Sequence, residues 1–228
     1  MLNYQVLDYQ VPRKLRKERK EKIKMTMKDA KKGFITDVAR DLFFRSSIND
    51  VTVKDIALSA GVGEATVYRY FTHKQNVVVA VAEKLEKEVY SEYFAAQKSG
   101  NGYARIKAFF ENYVKVFATH PAFFKFVNEF DAYMLSEDRS SSEEYSIGID
   151  LFKDVFFAAY EDGVKDGSVK KIKNPETFYF AATHALLELC KKLSTGIKIV
   201  KQDETTDKVA EISELKDVIL FYIATVQA

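Results

Sequence analysis

Apolar residues recur along this chain at the spacing of amphipathic helices. The first clear stripe consists of five residues that share one face when 3.6 residues make a turn: Ile35, Val38, Ala39, Leu42 and Phe43. No segment alternates apolar and polar positions as a half-buried β-strand does, and only 9 Gly and 3 Pro interrupt the pattern. The spacing therefore predicts an all-α protein of about nine helices.

Polar capping signals mark the starts of the amino-terminal helices. Thr52 and Asp55 have the spacing of a capping box, so a short helix is expected to begin after Thr52. Thr72 and Gln75 form a similar T-x-x-Q pair. This pair predicts the start of a long helix that extends to about Ala96.

A linker of small and polar residues, Ser99 to Gly102, separates this region from the rest of the chain. Beyond the linker the pattern predicts five more helices. Pro121 and Pro175 suit the first turn of two of them, because a first turn leaves its backbone donors unpaired in any case. The five helices are expected over residues 103–119, 121–135, 143–164, 175–193 and 212–226.

Charge is distributed unevenly along the chain, although the formal net charge is only +2. Residues 1–74 carry a net charge of +7 and residues 75–228 carry −5. Within residues 12–32, 11 are basic and three are acidic. A basic front on an acidic body suggests a nucleic-acid contact at one end, and a solvated tail that improves solubility is equally compatible.

The cysteine and histidine content excludes several kinds of site. Cys190 is the single cysteine, so neither an internal disulfide nor a cysteine-based zinc site can form, and a reducing, cytoplasmic setting is expected. The three histidines are scattered, so no metal sensor and no cofactor are expected. No apolar run is long enough to predict a membrane span, and the amino terminus does not have the apolar core of a signal peptide.

Catalytic motifs are not found in the sequence either. It contains no serine elbow, no paired metal-ligand motif and no glycine-rich phosphate loop. Its Asp and Glu residues lie where solvated helix faces would place them. We therefore expect no enzymatic activity, and a turnover screen with nucleotide or acyl substrates would test that expectation.

The segment from Val53 to Thr72 has the spacing of a helix-turn-helix. Such a pair needs a small residue where the helices cross, a turn residue that tolerates positive φ, and an apolar residue that points back from the second helix. Ala57, Gly61 and Val67 meet these needs in order. A second helix held in this way is free to enter the major groove of DNA. Four further apolar residues complete the inward face: Ile56, Ala60, Val62 and Tyr70.

The same segment resembles the TetR family of bacterial transcriptional regulators. The resemblance lies in Thr52-Val53-Lys54-Asp55-Ile56-Ala57, Ala60-Gly61-Val62, Thr66-Val67-Tyr68-Arg69-Tyr70-Phe71 and Lys74. These motifs are highly specific for the family, and the resemblance covers about residues 27–85. The rest of the chain matches the family in helix count and length alone, and the basic segment before residue 27 exceeds the usual start of the family.

This resemblance implies a ligand-responsive DNA-binding regulator, usually a repressor. The chain would comprise a basic amino-terminal arm (1–26), a three-helix helix-turn-helix DNA-binding domain (27–75), a connecting helix (76–98) and a helical ligand-binding and dimerisation domain (99–228). Its partners would be a palindromic double-stranded DNA operator, a small-molecule effector and a second copy of the chain. The alternative is a TetR-like architectural or cell-division factor that uses the same DNA-binding domain without an effector.

Eleven residues are candidates for contact with DNA. In the family, Tyr68 or Tyr70 together with Lys74 would hold the phosphate backbone. Arg69 suits a phosphate or a guanine edge, whereas Glu64 suits the helix dipole better than it suits DNA. The candidates are Thr52, Lys54, Gly63, Glu64, Ala65, Thr66, Tyr68, Arg69, Tyr70, His73 and Lys74.

The last two long helices are apolar on more than one side. The segment from Phe178 to Leu193 carries apolar residues nearly all round, and residues 218–223 are consecutively apolar. A helix without a polar face must be covered on both sides, either at a dimer interface or in the centre of a monomer core. The family favours a homodimer through these two helices, whose two-fold axis would place two reading helices about one DNA turn apart.

Aromatic residues are abundant in the carboxy-terminal domain. Such residues line large apolar pockets, and collectively they suggest an apolar or aromatic effector, although core packing is the alternative for each single ring. His184 is interpreted as a buried, hydrogen-bonded residue, with a ligand contact as the alternative. The candidate pocket residues are Phe109, Phe110, Tyr113, Phe117, Phe126, Phe130, Tyr133, Phe156, Tyr160, Phe180 and His184.

Overall fold

Nine α-helices make up the parts of the chain that the structure, a computed structural model, describes: residues 13–95, 99–136, 146–196 and 207–225. The predicted all-α fold is confirmed, and within these ranges the one β-type pairing is an isolated bridge between Val169 and Ala224. The helices are α1 (Arg13–Arg45), α2 (Val53–Ser59), α3 (Glu64–Phe71), α4 (Lys74–Val89), α5 (Gly102–Thr119), α6 (Pro121–Ser136), α7 (Ser146–Asp166), α8 (Pro175–Ser194) and α9 (Lys208–Ile223).

Helix α2 begins with the predicted capping box. The Thr52 hydroxyl oxygen accepts a hydrogen bond from the Asp55 backbone N–H at 3.2 Å, and the Asp55 carboxylate accepts one from the Thr52 backbone N–H at 2.8 Å. These two bonds satisfy backbone donors that a helix start would otherwise leave unpaired. The hydrogen bonds from the Thr52 hydroxyl and backbone also hold the pKa of the Asp55 carboxyl below its usual range.

The T-x-x-Q pair at residues 72–75 does not form a capping box, so that prediction is wrong. Thr72 ends α3 instead, with a φ of 60° and its backbone N–H bonded to the Tyr68 carbonyl oxygen. His73 is the residue that precedes α4, and it forms no side-chain cap. The reason is geometric: α3 and α4 meet within two residues, and the residue that closes the first helix cannot also cap the second.

Two helices differ in extent from the sequence prediction. α1 begins at Arg13 rather than near Met27, so part of the expected basic arm (1–26), for which an irregular or partly helical structure is predicted, belongs to the first helix. α4 ends at Val89 and passes directly into a π-helical turn, Tyr90–Phe94. Together these two elements come close to the predicted end at Ala96. The predicted start of the helix over residues 143–164 lies outside the described residues.

The first of two hydrophobic cores lies beneath the reading head, which we define as α1, α2 and α3. Ile35, Ile56 and Val78 are fully buried there, so α1, α2 and α4 share one apolar interior. One face of α6 belongs to the same core, although α6 follows the predicted linker. The head therefore packs directly on the body. The α6 residues concerned are Phe126, Phe130, Tyr133 and Met134.

The second core fills the body between α5, α7, α8 and α9. It is dominated by aromatic rings, several in edge-to-face contact, such as Phe109 with Phe110 at a centroid distance of 5.2 Å. Helices α5 and α7 approach very closely, because a Cβ atom on Gly102 would overlap the backbone of Gly163. Phe123 packs against both cores and so joins the head to the body.

Candidate DNA interface and body cavity

The backbone of the helix-turn-helix fixes α3 in place. Gly61 has a φ of 61°, a left-handed conformation that glycine adopts without steric cost, and the Val62 N–H returns to the Ala57 carbonyl oxygen at 2.9 Å. Val67 and Phe71 on α3 are buried against the other head helices. Because one face of α3 is held in this way, its opposite face is presented outward at a defined angle.

The outward face of α3 is polar. Glu64, Ala65 and Arg69 are exposed, and 48% of the Tyr68 side chain remains accessible. Tyr70 is half-buried, and the Arg69 guanidinium lies 5.4 Å from the centroid of its ring. These side chains offer hydroxyl, guanidinium and carboxylate groups to a partner. Phe71 belongs to the core.

Lys74 has structural contacts in addition to its predicted role. Its Nζ donates a hydrogen bond to the Asn49 carbonyl oxygen at 3.3 Å and lies 5.5 Å from the centroid of the Tyr133 ring. The ammonium is therefore directed across the start of α4 toward the loop before α2. The exposed His73 precedes it at the same end of the head.

The eleven predicted DNA-contact residues lie at the start of α2, in the turn, on α3 and at the start of α4. Sequence reasoning did not include three lysines of α1 among them. Lys28, Lys31 and Lys32 are exposed, and Lys32 Nζ lies 5.5 Å from the centroid of the Phe71 ring at the end of α3. The density of basic residues before residue 33 was the available signal for this additional cationic surface.

The body contains a cavity of about 230 Å³ lined by residues of α4, the π-helical turn, α5, α6, α7 and α8. Seven of its fifteen lining residues are aromatic, and the lining is mainly apolar. We call it the body cavity. It is lined by Glu86, Val89, Phe94, Tyr113, Val116, Phe123, Phe124, Val127, Asp131, Phe152, Tyr179, Phe180, Thr183, His184 and Leu187.

Three of the eleven predicted pocket residues line this cavity: Tyr113, Phe180 and His184. Eight lie elsewhere, because the rotation of each helix turns those rings into one of the two cores. Phe109, Phe110, Phe117, Phe156 and Tyr160 pack inside the body core, and Phe126, Phe130 and Tyr133 pack against the head. Glu86, Asp131 and five aromatic residues of the lining were not among the predicted pocket residues; the five are Phe94, Phe123, Phe124, Phe152 and Tyr179.

Polar groups at the body cavity differ in their environment. Burial raises the pKa of the Tyr113 hydroxyl, as do its neighbours Tyr179 and Cys190, so the phenol remains neutral. Burial likewise raises the pKa of the Cys190 thiol to about 12. His184 is exposed on α8, with its ring 5.7 Å from that of Phe180, so the interpretation of this histidine as buried is wrong.

A buried lysine joins α6 to α8 beside the body cavity. Lys191 Nζ lies 2.6 Å from a carboxylate oxygen of Asp131 and 2.6 Å from one of Glu188, and only 7% of its side chain is exposed. Burial disfavours the ammonium, but the hydrogen bonds and charges of the two carboxylates outweigh that effect and raise its pKa. The lysine is therefore held in its charged form.

Helix α6 contacts the cavity on one side and the head on the other. Its Glu129 carboxylate accepts a hydrogen bond from the Ile48 backbone N–H at 3.0 Å, and its Phe126 ring lies 6.3 Å from the rings of Phe43 and Phe44 on α1. A displacement of α6 at the cavity would therefore also move the residues of the head that α6 contacts. The α6 residues that line the cavity are Phe123, Phe124, Val127 and Asp131.

An exposed apolar surface lies on α9. Val218 is 65% exposed, Phe221 is 83% exposed and Tyr222 is 54% exposed, and the Tyr222 ring stacks on that of Phe178 of α8 at 5.5 Å. Contiguous exposed apolar groups on one helix mark surfaces that bind a partner. Among the described residues, no helix is both long and apolar enough to cross a membrane.

Comparison with known proteins agrees with this geometry. Residues 35–81 match the family model described as "Bacterial regulatory proteins, tetR family", a range that extends from the carboxy-terminal part of α1 through the first half of α4. The chain is 25% identical over 145 residues to the HTH-type transcriptional repressor KstR2 of Rhodococcus jostii (strain RHA1), an alignment that covers 63% of this chain and 70% of that protein.

Solved structures share the fold across the chain. A putative TetR-family regulator from Mesorhizobium loti superposes with a TM-score of 0.63 at 14% identity, covering 87% of this chain and 98% of that one. The fatty acid degradation regulator FadR from Bacillus halodurans superposes with a TM-score of 0.59 at 15% identity, covering 83% and 94%. At these identities the likeness concerns the fold alone.

Proposed function

We propose that the chain is a member of the TetR family of bacterial transcriptional regulators, which are DNA-binding proteins rather than enzymes, and that it acts as a homodimeric repressor released from its operator by a small apolar or aromatic effector. The observation that supports this function best is the double contact of α6. One face lines an aromatic cavity, and the other holds the reading head. We propose that it acts in the cytoplasm, because its DNA operator is there.

DNA recognition is assigned to α3 and its flanks. The Tyr68 hydroxyl and Arg69 are exposed on the outward face and suit phosphate or base contacts. Lys74 would add a phosphate contact at the start of α4. Glu64, at the start of α3, is assigned to the helix dipole rather than to DNA. The exposed lysines of α1 would extend the contact along the backbone.

A two-fold dimer through α8 and α9 would match the symmetry of a palindromic operator. The exposed Val218, Phe221 and Tyr222 on α9 supply an apolar surface that a second copy of the chain would cover. An isologous interface buries the same patch on both copies. Two reading helices related by this axis would enter successive major grooves.

Release from DNA would follow from a shift in the population of head positions. The helix that joins head and body is one element that could transmit ligand binding, because Glu86 and Val89 of α4 line the body cavity. The structure adds α6 as a second connection through Glu129. An effector that binds better to one arrangement of α4 and α6 moves the heads toward that arrangement by its difference in affinity.

The body cavity favours an effector over the alternative of an architectural or cell-division factor. A factor without an effector would have a filled body, whereas this body holds an aromatic-lined space of about 230 Å³. The proposed direction of regulation follows the relative in Rhodococcus jostii, which is a transcriptional repressor.

The experiment begins with selection of a duplex that the purified full chain retains from genomic fragments. Fluorescence anisotropy then follows the protein on that duplex while a library of apolar and aromatic small molecules is added. The proposal predicts retention of a palindromic duplex and its release by at least one compound that also raises the melting temperature of the protein. No retention at low salt would contradict DNA recognition, and retention that no stabilising compound relieves would favour the architectural alternative.

A further inference from the structure

We infer that the body cavity takes a small, uncharged aromatic molecule whose oxygen atom accepts a hydrogen bond from the Tyr113 hydroxyl, as the oxygen of an aryl ketone does. This inference rests on the proposed function, because it assigns a chemical class to the effector. Three observations support it: the charged residues of the lining already have partners, the Tyr113 hydroxyl has none, and the walls of the cavity are aromatic.

The charged residues of the lining offer no free counter-charge to a ligand. The Asp131 carboxylate lies 2.6 Å from the Lys191 ammonium, and Glu86 also has a partner within the chain. Lys191 binds Glu188 as well, whose side chain is 66% exposed and therefore solvated. A charged ligand would have to break one of these contacts or stay unpaired in a partly dehydrated space, and either costs free energy. An uncharged ligand incurs neither cost.

Other polar groups at the cavity are satisfied without a ligand. The Thr183 hydroxyl donates a hydrogen bond to the Tyr179 carbonyl oxygen at 2.8 Å. His184 is exposed on α8, so water can solvate its imidazole. Lys153, which lies 5.4 Å from the centroid of the cavity-lining Phe180 ring, forms an ion pair with a glutamate of α8. Tyr113 differs from these residues.

The Tyr113 hydroxyl is available to a ligand. It has no hydrogen-bond partner among the described residues, and Tyr113 lines the cavity. Its ring packs edge-to-face against Phe94 and Phe109 at centroid distances of 6.2 and 6.1 Å, which restrains the position of the hydroxyl. Burial raises the pKa of this phenol, which therefore keeps its proton and acts as a hydrogen-bond donor. A ligand oxygen beside it would satisfy a donor that is otherwise unpaired.

The walls and the volume of the cavity determine the size and shape of the ligand. Seven of the fifteen lining residues are aromatic, and such rings pack well against another ring in offset or edge-to-face geometry. An apolar cavity of about 150 Å³ holds a benzene ring. The body cavity, at about 230 Å³, therefore accommodates one ring with a short substituent, and that substituent would carry the oxygen acceptor.

Four ligands of matched size test the absence of charge: acetophenone, isopropylbenzene, benzoate and benzamidinium. Each consists of one ring with a branched substituent of the same size. NMR titration of the full chain at neutral pH should show acetophenone binding about tenfold more tightly than either ion. Equal or tighter binding of benzoate or benzamidinium would overturn the inference. So would a failure of acetophenone to bind at millimolar concentration.

Two variants of α5 locate the hydrogen bond. Tyr113→Phe keeps the ring and removes the hydroxyl, so it should weaken acetophenone binding about fivefold without weakening the binding of isopropylbenzene. Tyr103→Phe removes a hydroxyl from the same helix outside the cavity lining, and it should bind acetophenone as the unchanged protein does. An equal loss for acetophenone and isopropylbenzene in Tyr113→Phe would overturn the role of the hydroxyl.

The carbonyl stretching band of bound acetophenone gives a second measurement of the same contact. A hydrogen bond from the phenol should lower the frequency of this band below its value in hexane, and Tyr113→Phe should restore that value. A purely structural role of Tyr113 would not move the band. A band that is the same in the unchanged protein and in Tyr113→Phe would contradict the assignment.

DNA binding measured on the same samples separates this inference from the proposed function. Acetophenone binding that leaves the selected duplex bound would support the ligand class and contradict ligand-induced release. Release by benzoate or benzamidinium, with none by acetophenone, would support the regulator and overturn the ligand class.

Discussion

Glu129 of α6 accepts a hydrogen bond from the backbone N–H of Ile48, which lies 81 residues earlier in the chain, at a donor–acceptor distance of 3.0 Å. The Ile48 side chain is 1% exposed, so this bond forms at the edge of the buried head core. It fixes the loop between α1 and α2 to a helix whose other side lines the body cavity. The bond is therefore a direct connection between the reading head and the helix that lines the body cavity.

Replacement of Glu129 by alanine should weaken this connection. The Ile48 N–H would lose its acceptor at a largely buried position, which costs about 1–3 kcal/mol in the free energy of unfolding. The effect of a bound ligand on DNA affinity should also decrease, because α6 would no longer hold the loop. Urea unfolding measures the first effect, and the ratio of the DNA dissociation constants with and without ligand measures the second.

Glu129→Gln is the matched control for this prediction. It keeps a carbonyl acceptor for Ile48 but loses the charge that faces Lys125 at 3.8 Å, so it separates the hydrogen bond from the ion pair. Glutamine should restore most of the stability and of the ligand response. If the alanine and glutamine variants behaved alike, the hydrogen bond would have no part in the coupling.

The helix-turn-helix could be predicted from the sequence because its constraints are local. A small residue at Ala57, a left-handed turn at Gly61 and an inward apolar residue at Val67 are needed at fixed spacing, whatever the rest of the chain does. The capping box at Thr52 was predicted for the same reason. The predicted capping box at Thr72 was wrong, because a sequence pattern does not show whether a residue ends one helix or begins the next.

The cavity could not be predicted in the same way, because its lining depends on how each helix is rotated about its axis. Phe124 and Phe126 are two residues apart on α6, yet the first lines the cavity and the second packs on the head. Both are apolar, so composition does not distinguish them. The sequence pattern places Glu86 and Asp131 on solvated helix faces. In the structure both line the cavity, because the neighbouring helices pack around them.

Removal of residues 1–24 should reduce the salt dependence of DNA binding. This segment holds eight of the basic residues near the amino terminus, and each phosphate contact that it makes adds about 0.9 to the slope of log affinity against log salt. Anisotropy titrations on the selected duplex over a range of salt concentrations give the slope for both proteins. An unchanged slope would mean that this segment makes no phosphate contacts.

Replacement of Phe221 by glutamate should separate the proposed dimer. The side chain is 83% exposed in the single chain, and a two-fold interface through α9 would bury its charge on both copies. Sedimentation equilibrium should give twice the chain mass of 26.1 kDa for the unchanged protein and the single chain mass for the variant. Leu135→Glu, at an exposed apolar position of α6, should remain dimeric. A dimer that persists in Phe221→Glu would place the interface elsewhere.

The affinity of Tyr68→Ala and Lys74→Ala for the selected duplex tests the central claim, that α3 and the start of α4 read DNA. We predict that each variant remains dimeric and binds about tenfold more weakly, and that Lys74→Ala also lowers the salt slope by about one. Lys107→Ala, an exposed lysine of α5 paired with Glu111, should bind as the unchanged protein does. Undiminished affinity in both Tyr68→Ala and Lys74→Ala, measured by anisotropy beside this control, would contradict the assignment of the DNA-reading surface.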